Sequence, residues 1–345
     1  MTIYITGGSN TAKPGGWSDK FAARIVRKYA VRNLALGATN SHMAFIRVMR
    51  DAQLGPGDAV VWANSTNDAM CMSEGHYSDF ALIGYVEQMI RLCAETGARF
   101  IPLIIDSYNK LVDVEQAEYK RRILALLEHY SLPWIDLRAA YFGETGEADL
   151  PRHFFMDPLH FNADSPVTDF IGDLAIEAVE SGLGHPAKTS PMSDDAKCRF
   201  EVVSEFGPTQ QSARFENSVA NLATWKPPFA STPLSPSGAA EVDALVVVAG
   251  SEGGAFTISV GAQSLSFSAC HCFGYWPKPG LLIVRPRNLL AEGLRIGTGD
   301  KIKVDWCDSP ANLKADMYFR GNLEPHQLGQ SQSRIAYAVL KHHAD

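Results

Sequence analysis

MTIYITGGSN, residues 1–10, runs a short apolar strand straight into two glycines and a serine. Two chemistries use such a turn. Glycines can let a backbone close around a phosphate. They can also leave a serine, Ser9, standing at the end of a strand as a nucleophile. The later strands, and the residues just after each of them, decide between the two and decide the fold.

Strand and helix alternate through the first half of the chain. After Ile3–Ile5 a helix is predicted over about 18–29, with Phe21, Ile25 and Tyr29 at four-residue spacing. Residues 33–36 (Asn-Leu-Ala-Leu) read as a second strand and 41–53 as a helix. Residues 59–62 (Ala-Val-Val-Trp) form a third strand, apolar throughout as suits burial on both faces. The helix over 78–96 carries Leu82, Val86, Met89, Ile90 and Cys93 on one stripe, and Gly97 stops it. Residues 100–105 are a fourth strand despite Pro102, 114–130 a helix, 134–137 a fifth strand, and 165–181 a last helix. Five strand–helix repeats predict an open parallel sheet covered on both faces, a flavodoxin-like α/β/α sandwich of strand order 2-1-3-4-5.

The texture changes near residue 184. GHPAKTSPMSDDAK, residues 184–197, reads as a linker. Beyond it helical periodicity fades, and segments such as DALVVVAG, AFTISVGAQSLSFS and RIAYAVLKH alternate like strands between turn residues. The expected division is an α/β domain over 1–183, a linker over 184–197 and a β-sandwich domain over 198–345.

Composition narrows the partners. The chain has 345 residues, 46% of them hydrophobic, and a net charge of −7. No long basic run is present, which argues against nucleic acid. No apolar run is long enough to span a bilayer. With no basic, signal-like start and six scattered cysteines, a cytoplasmic location with reduced thiols is expected. Cys270-His271-Cys272 has the look of half a metal site but lacks a second ligand pair, so no metal and no cofactor are expected. Homo-oligomerisation is left open.

The phosphate reading of the opening turn fails on spacing. A dinucleotide loop needs further glycines at fixed intervals and an acidic residue ending the second strand. Asn10, Thr11, Ala12 and Lys13 follow Ser9, and the second strand runs into Gly37-Ala38-Thr39-Asn40. The Gly-Lys-Ser/Thr of a P-loop is missing too. The nucleophile reading finds partners at other strand ends: Gly37 after strand two, Asn67-Asp68 after strand three, and Asp157-Pro158-Leu159-His160 after strand five. Strand five lies roughly 14 Å from strand one at about 4.8 Å per strand, and the segment from Arg138 to Met156 is long enough to bring His160 back to Ser9.

Four such blocks in this order resemble the SGNH hydrolases, the GDSL-type esterases and lipases, over about residues 1–182. Two positions depart from the family pattern. Gly8 stands where an aspartate is usual, and block three reads Ser-Thr-Asn-Asp where the family often has Gly-x-Asn-Asp. The resemblance implies that Ser9 is the nucleophile, His160 its base and Asp157 the carboxylate that orients the imidazole. It implies oxyanion donors on the Ser9 and Gly37 backbones and the Asn67 side chain. Asp68 is expected to brace its loop, and Asp106 and Asp136 to cap or orient theirs. Phe154, Phe155 and Phe161 are either core or a wall facing substrate, and His153 is a candidate substrate contact. The expected activity is a serine esterase acting on O-acetyl or other short acyl esters of a saccharide. An acyltransferase of polysaccharide biosynthesis and a non-catalytic carbohydrate-binding protein remain alternatives. Trp225, Tyr275, Trp276 and Trp306 are candidates either for stacking on sugar or for the sandwich core.

Overall fold

A computed structural model describes residues 1–73, 75, 77–105, 108, 113–203, 212–216, 220–227, 229–231, 240–250, 253–269, 279–297, 299–307 and 333–343. The chain divides into two compact units, Met1–Ala196 and Lys197–Asp345.

The first unit runs β1 (Thr2–Gly7), α1 (Ser9–Ala12), α2 (Trp17–Ile25), β2 (Ala30–Asn33), α3 (Ser41–Asp51), β3 (Ala59–Ala63), α4 (Ser65–Ser73), α5 (Asp79–Thr96), β4 (Arg99–Ile104), α6 (Asp113–His129), β5 (Ile135–Asp136), α7 (Leu137–Thr145) and α8 (Pro166–Glu180). Its five strands are parallel and ordered β2-β1-β3-β4-β5, the expected topology. Burial on both faces explains the continuous apolar runs of β3 and β4. On one face, Ile3, Ile5, Val61 and Leu103 pack with Phe21 of α2 and Ile171 of α8 in a single core cluster. The helices α3, α5 and α6 lie on the other face, where the Trp62 and Phe100 rings stack at 6.3 Å.

The second strand differs from expectation. It occupies Ala30–Asn33, an edge strand whose alternate residues are exposed, so its composition is too polar for a search by hydrophobicity. The apolar residues 34–36 continue alongside β1, with the Leu34 N–H donating to the Ile5 carbonyl and the Leu36 N–H to that of Gly7. Pro102 is tolerated because pairing with β5 begins only at Leu103. The helix expected to reach residue 29 ends at Ile25. Among the described residues of the first unit, three helices lie outside the expected set. α1 is a single turn. α4 opens on four polar residues, Ser65 to Asp68. α7 starts on Asp136, whose carboxylate caps the Ala139 N–H, and stops at Gly146 with a φ of 74°.

Residues 184–196 are fastened to the first unit. The Phe100 N–H donates to the Gly184 carbonyl and the Ala187 N–H to that of Tyr130. The buried Glu87 carboxylate accepts from the Met192 and Ser193 N–H groups and from the Tyr130 hydroxyl.

The second unit is a sandwich of two antiparallel sheets. Its strands are β6 (Arg199–Val203), β7 (Ser212–Glu216), β8 (Asn221–Trp225), β9 (Phe229–Ser231), β10 (Ala240–Ala249), β11 (Ala255–Val260), β12 (Gln263–Ser268), β13 (Gly280–Val284), β14 (Arg295–Ile296), β15 (Ile302–Trp306) and β16 (Arg334–His342). One sheet runs β13-β10-β16-β8-β7 with β14 and β6 alongside, the other β12-β11-β15-β9. Val242, Val247 and Leu340 of the first sheet meet Phe256, Phe267 and Val304 of the second in one core. Trp225 and Trp306 pack against that core, and Trp306 stacks on Phe256 with ring centroids 5.1 Å apart. Tyr275, Trp276 and the Cys270-His271-Cys272 cluster lie outside the described residues. Among the described residues, no helix is long and apolar enough to cross a membrane, and no group of three His, Cys, Asp or Glu side chains is placed to hold a metal.

Candidate active site

Neither glycine of the opening turn takes a positive φ. Each is there for close approach. A Cβ on Gly7 would lie 2.1 Å from the Thr11 hydroxyl oxygen. One on Gly8, whose backbone is extended, would lie 2.0 Å from the Asn67 Oδ1. The turn therefore folds tightly onto α1 and admits the Asn67 carboxamide against the Gly8 backbone. Ser9 follows as the first residue of α1, at the carboxyl end of β1.

His160 and Asp157 sit on a short hairpin. Its base is the antiparallel bridge between Phe155 and Phe161, and the hydrogen bonds Asn162 N–H to Phe154 carbonyl and Met156 N–H to His160 carbonyl close it. Phe154, Phe155 and Phe161 are buried in the core of the first unit, so they anchor the hairpin and do not face a substrate. His160 Nε2 lies 2.8 Å from the Ser9 Oγ. Its Nδ1 lies 2.7 Å from Asp157 Oδ2 and 2.9 Å from Oδ1. Asp157 Oδ1 also accepts the backbone N–H groups of Leu159 and His160. Partial burial pushes the Asp157 carboxyl up, but the Leu159 N–H, the His160 ring and the His160 N–H together hold it below the usual carboxylate range. It stays ionised next to the imidazole. Because a carboxylate faces Nδ1, that nitrogen carries the proton, and Nε2 is left free to accept one from Ser9.

Gly37 lies beside the serine: a Cβ there would be 3.9 Å from that of Ser9. The bonds from residues 34 and 36 to β1 carry the chain to this point. Ala38 follows with a φ of 57°, a left-handed conformation uncommon outside glycine. Asn67, in the first turn of α4, has its carboxamide against Gly8. Ser65 fixes that turn by exchanging hydrogen bonds with the backbone of Ile105, and Thr66 adds a third to the same carbonyl. Asp68 braces it as expected. Its buried carboxylate accepts from the Ser41 N–H and hydroxyl and from the Tyr119 hydroxyl, and Trp62 Nε1 donates to the same Ser41 hydroxyl. Burial pushes the Asp68 carboxyl up to about 7 against the pull of those hydrogen bonds.

Ser9, Gly37, Asn67, Asp157 and His160 thus meet at one end of the sheet. His153 is exposed, with its ring edge-on to Phe154. Asp136 caps α7, and Asp106 lies outside the described residues. Asn10, Lys13, Ser41 and Tyr119 also support the site, and sequence reasoning misses them. Their one sequence signal is adjacency: Asn10 follows the serine.

No family model and no curated protein matches this sequence. Solved structures do. A two-domain esterase active on acetylated mannans, co-crystallised with mannopentaose, aligns over 100% of this chain and 91% of its own, with a TM-score of 0.60 and 13% identity. A second structure of a two-domain esterase active on acetylated mannans aligns over 100% and 92%, with a TM-score of 0.59 and 12% identity. An acetyl xylan esterase aligns over 52% of this chain and 100% of its own, with a TM-score of 0.44 and 16% identity. This chain therefore shares the fold of those two-domain structures, a five-stranded parallel α/β unit followed by a β-sandwich.

Proposed function

We propose that this chain is a serine esterase that removes O-acetyl or other short acyl groups from a saccharide. The hydrogen-bonded line from Ser9 Oγ through His160 to Asp157 carries the reading. His160 Nε2 takes the Ser9 proton as Oγ attacks the ester carbonyl. The imidazolium that forms is stabilised by the ionised Asp157. The negative oxygen of the tetrahedral intermediate is met by the N–H groups of Ser9 and Gly37 and by the Asn67 amide. Collapse expels the alcohol, which takes its proton from His160, and leaves an acyl group on Ser9. Water then attacks that acyl-enzyme with His160 again as base. The placement of Asn67 against Gly8 supports an active enzyme over a binding protein, because the position of the usual aspartate holds an oxyanion donor instead.

The test is a panel of model esters from acetate to octanoate, followed by acetylated mannan, on the wild type and Ser9→Ala. Wild type should turn over the short esters and label with a serine-directed phosphonate. Ser9→Ala should do neither, and labelling that persists in it would refute the assignment. Supplying free sugars and measuring acyl delivery to them against release to water separates hydrolysis from transfer.

A further inference from the structure

The base and the nucleophile come from segments about 150 positions apart, joined at the tip of a surface hairpin. The hairpin's internal bonds fix its shape but not its distance from α1. Serine–imidazole catalysis is sensitive to that distance, since a displacement of about 1 Å can cost about 10²-fold. Something must tie the tip to the serine.

Asn10 is placed to do so. It is the residue after Ser9, within the same helical turn, so its side chain moves with the nucleophile. Its Nδ2 donates to the Leu159 carbonyl at 2.8 Å, and its Oδ1 accepts the Phe161 N–H at 2.9 Å. These two residues flank His160. One partner can only accept and the other can only donate, so the carboxamide has a single orientation that satisfies both. Lys13 adds a bond from Nζ to the Phe161 carbonyl at 3.0 Å. The backbone on either side of the base is thereby fixed to the helix that bears the nucleophile.

We infer that Asn10 is a positioning residue, which sets the Ser9–His160 distance by gripping the peptide groups before and after the imidazole, with Lys13 as its auxiliary. The inference rests on the esterase reading for its effect on rate. Its geometric part stands apart from that reading.

The test uses the full chain with Asn10→Ala and Asn10→Asp. For Asn10→Ala, kcat on a short ester should fall about 10- to 100-fold with KM within about twofold. Titration with a serine-directed phosphonate should still count every active site, only more slowly. Asn10→Asp keeps the acceptor for Phe161 but sets an oxygen against the Leu159 carbonyl. It should also lose kcat, and it decides the question if the alanine variant does not fold. Residue-resolved amide exchange is read alongside. The Phe161 N–H should exchange at least about tenfold faster in Asn10→Ala, whereas the Asn162 N–H, bonded within the hairpin, should not change. A kcat within twofold of wild type overturns the inference. So does a loss of titratable sites at unchanged turnover per site, which marks a merely structural residue. If the wild type hydrolyses no ester and Ser9 does not label, the esterase reading fails. The exchange comparison then decides the clamp alone: slow Phe161 exchange lost only with Asn10 upholds it, and equal exchange in both proteins overturns it.

Discussion

Gly8→Ala is the sharpest perturbation of the oxyanion assignment. Gly8 has φ −87° and ψ −152°, an extended backbone that alanine adopts freely, so the substitution adds no backbone strain. The added methyl would sit 2.0, 2.5 and 2.8 Å from the Oδ1, Cγ and Nδ2 of Asn67. All three contacts are within bonding or overlap distance, so the carboxamide must swing away. Asn67 is at the end of a short, partly exposed side chain, and moving it disturbs stability little. Catalysis is another matter. Loss of one preorganised oxyanion donor costs about 10²–10³ in kcat, or about 3–4 kcal/mol. Gly8→Ala should therefore fall by that factor at nearly unchanged Tm. Asn67→Ala should fall equally. The double variant should be no worse than either single, because the methyl then has nothing to displace, and the coupling should equal one full single effect. Steady-state kinetics with a soluble acetyl ester on all four proteins complete the cycle. Near-wild-type turnover in Gly8→Ala, or losses that multiply in the double variant, would refute the claim that Asn67 acts from this position.

Two more predictions concern the carboxylates. Asp157→Asn, with its Oδ1 kept on the Leu159 and His160 N–H groups, turns an amide donor toward Nδ1 and forces the proton onto Nε2. That tautomer cannot take the Ser9 proton, and kcat should drop by roughly 10⁴ with the fold intact; a drop under tenfold would show that the carboxylate does not set the tautomer. Asp68 makes stability depend on pH. Its carboxyl is raised from an ordinary 3.8 to about 7, so between those pH values the folded chain holds a proton that the unfolded chain releases. Its contribution to stability is full below pH 4, falls as pH rises to 7 and is lost above, by an amount on the order of 4 kcal/mol. Asp68→Asn should flatten the urea-midpoint profile between pH 4 and 8 relative to wild type; parallel profiles would count against a neutral Asp68.

The sheet was legible because its central strands are buried on both faces and read as unbroken apolar runs, with a strand end to each motif. The order of Ser9, Gly37, Asn67 and His160 along the chain could be seen for the same reason. Edge strand β2 could not, since it carries an exposed Arg32 and a half-buried, hydrogen-bonded Asn33 where a core strand would be apolar. Nor could α4, whose Ser65, Thr66 and Asp68 look like a loop but bury their polar groups on Ile105, Ser41 and Tyr119. Such satisfaction is tertiary and leaves no periodicity. Gly8 is, in sequence, a departure from the SGNH pattern that the chain otherwise resembles. In space it is the clearance that Asn67 requires. The three phenylalanines around the Asp–His pair could be read two ways until burial assigned them to the core.

The fastening of residues 184–196 bears on how such a protein can be cut and recombined. A gene fragment stopped at residue 183 would strip Glu87 of its two backbone donors and leave its carboxylate with the Tyr130 hydroxyl. One stopped after Ala196 would leave it fully served. The seam at which evolution, or an engineer, can exchange one β-rich appendage for another therefore lies at the far end of the Pro- and Ser-rich stretch, and that stretch travels with the α/β half.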